Sequence, residues 1–350
     1  MTTMTMTRKS AKAVEAKSNK TKIGLVLQGG GALGAYEYGA VMQLVADGFV
    51  PIIVSGVSIG AINAAAIAGA KSGDIAGSLK ELWSRITLAP NPFVPEHFAK
   101  MQSMFGNPAF YRNRSDWWAM KNWTSFCDTT PIRQTLREVV DFRRLNDASL
   151  MRFCVTATNV ATGGQEYFDN LHMEIGPEHI VASGSLPPSF PATEIDGEFY
   201  WDGGLFDNTP LRPVIQMVAT SEIESLPIFV IDLVPSFDAV PRTIAEVKNR
   251  MMELSFENRF WDEFGGPKGL IEHADMLEEV ASIVPSDHPI RDNQFFANLM
   301  RYRVLRHLKV VPASHQAMSD GMDFSAAGVE ARRMAGQTAV KRFLDTYNYE

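Results

Sequence analysis

"PIIVSGVSIGAINAAAIAGA", residues 51–70, sets a serine between two glycines where the residue pattern changes. Ile52-Ile53-Val54 is a short apolar, β-branched run and reads as a buried strand. The Ala-rich run after Ser58 has no Pro and reads as a helix with a very small face. Between them, Gly56-Val57-Ser58-Ile59-Gly60 matches G-x-S-x-G, the pattern of a nucleophile on a sharp strand-to-helix turn. So short a pattern recurs by chance, and it is the strand before and the helix after that give it content. Gly56 and Gly60 let backbone approach closely and tolerate strain at the serine. At a helix N-terminus, free N–H groups and the helix dipole favour developing negative charge at Ser58. The alternative is an ordinary N-cap serine.

Outward from this turn, the 350-residue chain is 45% hydrophobic and 21% charged, as ordinary globular proteins are. That length suits one large domain or two small ones. No apolar run approaches the ~20 residues that span a bilayer. The N-terminus has no apolar core of a secretory signal and is expected to be a disordered basic tail over residues 1–21. Residues 1–22 hold six Lys and Arg against one Glu, a net of +5, so the rest of the chain carries −12 of the total −7. An acidic body argues against nucleic acid as a partner. Two cysteines, Cys127 and Cys154, make neither a disulfide framework nor a metal motif, and a reducing cytoplasm is expected.

The start of the chain reads strand, turn, helix, strand, turn, helix. "KIGLVLQ" (22–28) is a strand, "GGGALG" (29–34) a turn, and "AYEYGAVMQLVADG" a helix ending at Gly48. This is the layer pattern of an α/β fold, three layers with a mostly parallel central sheet. Further strands are expected at 151–160 and 226–235, and helices at 130–142, 243–264 and 326–347. Residues 90–130 are dense in Pro, Met and aromatics and read as a long excursion or lid.

Gly29, Gly31 and Gly34 also match G-x-G-x-x-G, a dinucleotide fingerprint. That reading needs an acid at the end of the second strand, where "VSGVS" has none. The same loop suits different chemistry, since consecutive glycines can aim backbone N–H groups at one point and form an oxyanion hole. Two parallel strands, each ending in a glycine turn at one sheet edge, would set this loop beside Ser58. A third element is "FYWDGGLFDNTPL" (199–211), where Asp202 precedes Gly203-Gly204. A carboxylate on a tight turn can act as a general base, or it can simply bond its own backbone.

Together these stretches resemble the patatin-like phospholipase family. The resemblance rests on "GGGALG" (29–34), "GVSIG" (56–60), "ATNVATGGQEYF" (157–168), "ASGSLPPSFPATEIDGEFYWDGG" (182–204) and Asn208-Thr209-Pro210, in the family's order. It implies a patatin-like catalytic domain over 22–212, with 213–350 a C-terminal extension packed on the same domain. It implies a Ser–Asp dyad that cleaves acyl esters without histidine, with Ser58 as nucleophile and Asp202 as base. Gly29, Gly30 and Gly31 would form the oxyanion hole, and Gly34, Gly56, Gly60, Gly203 and Gly204 would shape the motifs. No metal or cofactor is implied; the partner is a lipid or other acyl ester, with peripheral membrane contact. The family usually carries Arg or Lys where Leu33 stands, and this chain lacks that cation.

An unperturbed Asp is a weak base, so burial must raise its pKa, and Phe199, Tyr200 and Trp201 are the neighbours expected to supply that burial. Two alternatives stand beside the dyad. One is a Ser-His-Asp esterase using His273, His288, His307 or His315, with His288 the best placed; the other is a non-catalytic acyl-binding module of the same fold. Trp117, Trp118, Trp123 and Phe126 either line an acyl channel, touch a membrane surface, or pack beneath a long loop.

Overall fold

The two apolar runs that flank the glycine loop pair directly. β1 (Thr21–Leu27) and β2 (Phe49–Gly56) are parallel, with Leu27 opposite Gly56. The structure is a computed structural model and describes residues 20–89, 103, 105–234, 240–256, 264–314 and 321–347. The expected tail thus falls almost wholly outside the described residues, as do residues 90–102 of the aromatic excursion.

The remaining strands are β3 (Arg112–Asn113), β4 (Cys127–Asp128), β5 (Arg152–Asn159), β6 (Gln165–Asp169), β7 (Thr193–Ile195), β8 (Glu198–Asp202), β9 (Ile228–Asp232) and β10 (Leu308–Pro312). Eight of the ten described strands form one sheet in the order β10-β9-β1-β2-β5-β8-β7, with β6 also on β5, while β3 and β4 make a separate two-stranded ribbon. From β10 to β5 every pairing is parallel; β6, β7 and β8 are joined by antiparallel pairings.

Helices α1 (Gly34–Ala46), α2 (Ile59–Ala68), α3 (Ile75–Ile86), α4 (Thr130–Val139), α5 (Phe142–Leu145) and α6 (Pro177–Ser183) precede the β8 turn. After it come α7 (Leu211–Met217), α8 (Ile244–Phe256), α9 (Gly266–Ile283), α10 (Gln294–Arg301) and α11 (Ala326–Tyr347). β1 shows how the layers arise: Ile23, Leu25 and Leu27 join a core with α1, α2, α3 and α11, whereas Val26 joins a second core with α7 and α9. Side chains alternate across a strand, so a continuous apolar run is a strand buried on both faces.

The register of β5 positions the site. Its Arg152–Val155 half pairs with β2, its Cys154–Thr158 stretch with β6, and its Ala157–Asn159 end with β8. A strand has only two edges, and β6 overlaps both other partners, so β2 and β8 share one edge of β5. β8 therefore ends where β2 turns away. It delivers Asp202 opposite Ala157, two residues beyond the Val155 that faces Gly56.

The last third of the chain is built into this sheet. β9 and β10 extend it beyond β1, and α11 lies against α1. That helix crossing is glycine-close. A Cβ on Gly39 would strike the Arg333 carbonyl, and one on Gly336 would strike the Tyr36 carbonyl and lie 2.9 Å from the Ala40 amide nitrogen. In an exposed helix, Gly→Ala stabilises by about 1 kcal/mol. Gly336→Ala should instead lower the thermal midpoint by several degrees, because the two backbones must separate. A circular-dichroism melt decides, and a raised midpoint would show that the crossing yields freely.

Candidate active site

Ser58 has φ 55° and ψ −123°, a left-handed conformation unusual for a residue with a side chain. Such a conformation costs on the order of 1–3 kcal/mol and persists only where neighbours enforce it. Here they do. A Cβ on Gly56 would strike the Gly60 carbonyl, and one on Gly60 would strike the carbonyls that end β1, at Leu27 and Gln28. The Ser58 amide donates to both the carbonyl and the hydroxyl of Ser183, at 3.0 and 3.1 Å. Ser58 occupies the N-cap position of α2, yet its side chain makes no capping bond. The hydroxyl instead lies near the Asp202 carboxylate and draws its pKa downward.

Asp202 is 2% exposed. Its amide donates to the Ser185 carbonyl at 3.0 Å, its carbonyl accepts from the Thr158 hydroxyl at 3.0 Å, and its Oδ1 accepts from the Gly204 amide at 2.8 Å. Burial pushes the carboxyl up to about 6, while the Ser58 hydroxyl and the Gly204 amide pull it the other way. The aromatic wall is narrower than the sequence suggests. Along β8 the side chains alternate, so Tyr200 shares the face of Asp202 and is buried, whereas Phe199 points away and is 49% exposed.

The glycine loop lies against the serine: a Cβ on Gly29 would sit 3.0 Å from Ser58 Cβ. The three amides expected to act together differ. That of Gly29 is buried and donates to Asn208 Oδ1 at 3.1 Å. Those of Gly30 and Gly31 make no hydrogen bond among the described residues, and both residues are half-buried. Gly31 has φ 58°, which turns the chain so that the next amide, Ala32, donates to the Gly321 carbonyl at 2.7 Å. Leu33 packs partly buried against the core and lies over Gly30 and Gly321, a place for an apolar side chain here.

The three candidate histidines among the described residues sit in other elements. His288 Nδ1 accepts from the Ile290 amide and caps a short turn, His273 Nδ1 bonds the Gly269 carbonyl within α9, and His307 ends the turn before β10. His315 lies outside the described residues. Trp117, Trp118 and Phe126 are 68%, 87% and 60% exposed, while Trp123 is half-buried against Trp117 and the Arg114 guanidinium. Asn208, Gln28 and Ser183 brace the site, and the sequence alone gives none of them a role; Asn208 is visible there only as part of a motif.

This strand-turn-helix serine, glycine loop and aspartate turn fall within one family match. The family model "Patatin-like phospholipase" matches residues 25–215, and the chain belongs to the patatin-like phospholipase family, whose members are lipid hydrolases. Among solved structures the chain is similar to VipD from Legionella pneumophila, at 15% identity over 94% of this chain and 68% of that one, with a TM-score of 0.44. It is also similar to human GIVD cytosolic phospholipase A2 in complex with methyl gamma-linolenyl fluorophosphonate, at 12% identity over 93% of this chain and 60% of that one, with a TM-score of 0.31. No curated protein matches the chain.

The raised Asp202 carboxyl links the site to stability. A carboxyl that binds its proton more tightly when folded favours the fold fully below about pH 4, and that gain is lost as pH rises through about 6. The linked free energy is on the order of 3 kcal/mol. Asp202→Asn keeps the acceptor oxygen and cannot ionise. Its thermal midpoint should exceed that of the unmodified protein near pH 8 by a few degrees and match it near pH 4. A gap that does not widen between those two pH values would mean that the carboxyl is not burdened by burial.

Proposed function

We propose that this chain is a serine-dependent hydrolase of lipid acyl esters in which Ser58 is the nucleophile, Asp202 the base, and the Gly30 and Gly31 amides the oxyanion donors. One observation carries the reading: a strained serine lies beside a buried carboxylate that burial raises to about 6 and that the serine hydroxyl pulls the other way. A group with that pKa is mostly ionised at neutral pH and still basic enough to take a proton in the transition state. Ser58 Oγ attacks the ester carbonyl and its proton passes to Asp202. The carbonyl π pair moves to oxygen and is met by the Gly30 and Gly31 amides. When the intermediate collapses, the ester C–O bond breaks and Asp202 returns the proton to the leaving alcohol. Water, deprotonated by Asp202, then attacks the acyl-serine; Ser58 Oγ leaves, recovers the proton, and a fatty acid is released.

In this reading residues 213–350 are no separate module but complete the sheet of a single catalytic unit. No described helix is long and apolar enough to cross a membrane. Contact with a bilayer is assigned to the exposed rings of Trp117, Trp118 and Phe126, since tryptophan suits the boundary between apolar chains and water. Leu33 brings no charge to the mouth of the site, which favours neutral esters over anionic head groups. The free thiols of Cys127 and Cys154 fit a reducing compartment.

Ser58→Ala should abolish hydrolysis of a short p-nitrophenyl ester and all labelling by a fluorophosphonate, with the fold intact. For the unmodified protein kcat/KM should rise with pH through about 6, as Asp202 ionises, and Asp202→Asn should be as inactive as Ser58→Ala because the pair acts as a unit. Turnover that survives Ser58→Ala would leave only a different catalytic centre. An acyl-binding module without catalysis would bind lipid yet take no label.

The membrane assignment has its own check. Trp117→Ala with Trp118→Ala should reduce sedimentation with phosphatidylcholine vesicles at least tenfold and leave soluble-ester turnover unchanged. Undiminished sedimentation would move the contact to another surface.

A further inference from the structure

Asn208 is 3% exposed and makes two hydrogen bonds to one residue of the glycine loop. Gly29 N–H donates to its Oδ1 at 3.1 Å, and its Nδ2 donates to the Gly29 carbonyl at 3.2 Å. The partners are 179 positions apart in the chain. Asn208 Oδ1 is also close to the base. A Cβ on Gly204 would lie 2.9 Å from Asn208 Oδ1 and 3.1 Å from Asp202 Oδ1. The adjoining residues repeat the connection: Gln28 Nε2 donates to the Thr209 hydroxyl at 2.6 Å, and Gln28 Oε1 accepts from the Leu233 amide at 2.7 Å.

We infer that Asn208 is a positioning residue that locks the oxyanion loop to the turn carrying the base. The inference rests on the function proposed above. A run of three glycines is the softest segment a chain can offer, and an oxyanion donor is effective only if its direction is set before the charge appears. The Gly30 and Gly31 amides follow directly after the residue that Asn208 grips on both sides. Since Asn208 lies six residues beyond Asp202 on the same rigid turn, the grip fixes donors and base in one frame. An ester carbonyl needs little from those donors in the ground state and much in the tetrahedral state. Loss of the lock should therefore lower kcat and spare KM.

Asn208→Ala should lower kcat for a short p-nitrophenyl ester about a hundredfold with KM held within about twofold, because a misdirected oxyanion donor costs on that scale. Affinity for an alkyl trifluoromethyl ketone, which forms an alkoxide when Ser58 Oγ adds and its proton passes to Asp202, should fall in parallel with kcat/KM. Asn208→Asp covers the case in which the alanine variant does not fold. It keeps the size and the Oδ1 acceptor but loses the donor to the Gly29 carbonyl. It should lose activity to an intermediate degree, and the acid limb of its kcat/KM profile should move to higher pH, since a second carboxylate beside Asp202 disfavours ionisation of the first. A kcat unchanged in both variants overturns the inference, as does a change confined to KM. If Ser58→Ala is itself fully active, the underlying reading has failed instead, and that control is run first.

Discussion

The site is organised by one close approach, that of Gly60 at the start of α2 to the carbonyls that end β1. Only a glycine fits there, and the fit holds Ser58 in its left-handed conformation. It also forces β2 away from the sheet after Gly56. The edge of β5 beyond Val155 is then unoccupied by β2, and β8 fills it from the opposite direction. An antiparallel strand on that edge ends where the parallel one ended, so Asp202 reaches the serine from a segment more than a hundred residues later in the chain. Nucleophile and carboxylate meet because two strands share one edge.

Both members of that meeting are unfavourable taken singly. A serine at positive φ is strained, and a carboxylate with 2% exposure has lost nearly all its water. Each is offset by partners from a third segment. The end of α6 and the residues just after it hold the Ser58 amide through Ser183 and the Asp202 amide through Ser185, so one short stretch anchors both. Three buried or largely buried acids at this end of the sheet, Asp202, Asp207 and Asp232, are all raised to about 6 by burial. Of the three, only Asp202 is influenced by the Ser58 hydroxyl, which distinguishes it chemically from its neighbours.

Much of the frame was legible in the sequence because it is local. The runs at 22–28 and 52–54 are rich in apolar and β-branched residues, and they lie in strands; the helix expected at 326–347 spans Ala326–Tyr347. The helix expected over 243–264 is described as far as Phe256, and residues 257–263 lie outside the described residues. The strand Leu308–Pro312 was not legible, since five residues with one apolar pair gain their identity only from pairing with β9. The helices Gly266–Ile283 and Gln294–Arg301 escaped for a similar reason: much of each faces solvent, and their buried positions are sparse. Within the site, Ser58, Asp202 and the glycines carry recognisable turn chemistry. The engagement of the Gly29 amide by Asn208 has no local signature, because it depends on a contact across most of the fold.

The place of β1 in the sheet has a consequence for how the chain is made. β1 is the first of the described strands in chain order, yet one of its two neighbours, β9, comes some two hundred residues later, and β10 and α11 later still. At about 5–20 residues per second, a ribosome needs on the order of ten to forty seconds to supply that neighbour. Throughout that interval β1, whose last five residues are buried in the finished fold, has an open edge, the kind of surface on which nascent chains stick to one another. A fold that pairs an early strand with a late one leaves that edge uncovered until the later residues emerge.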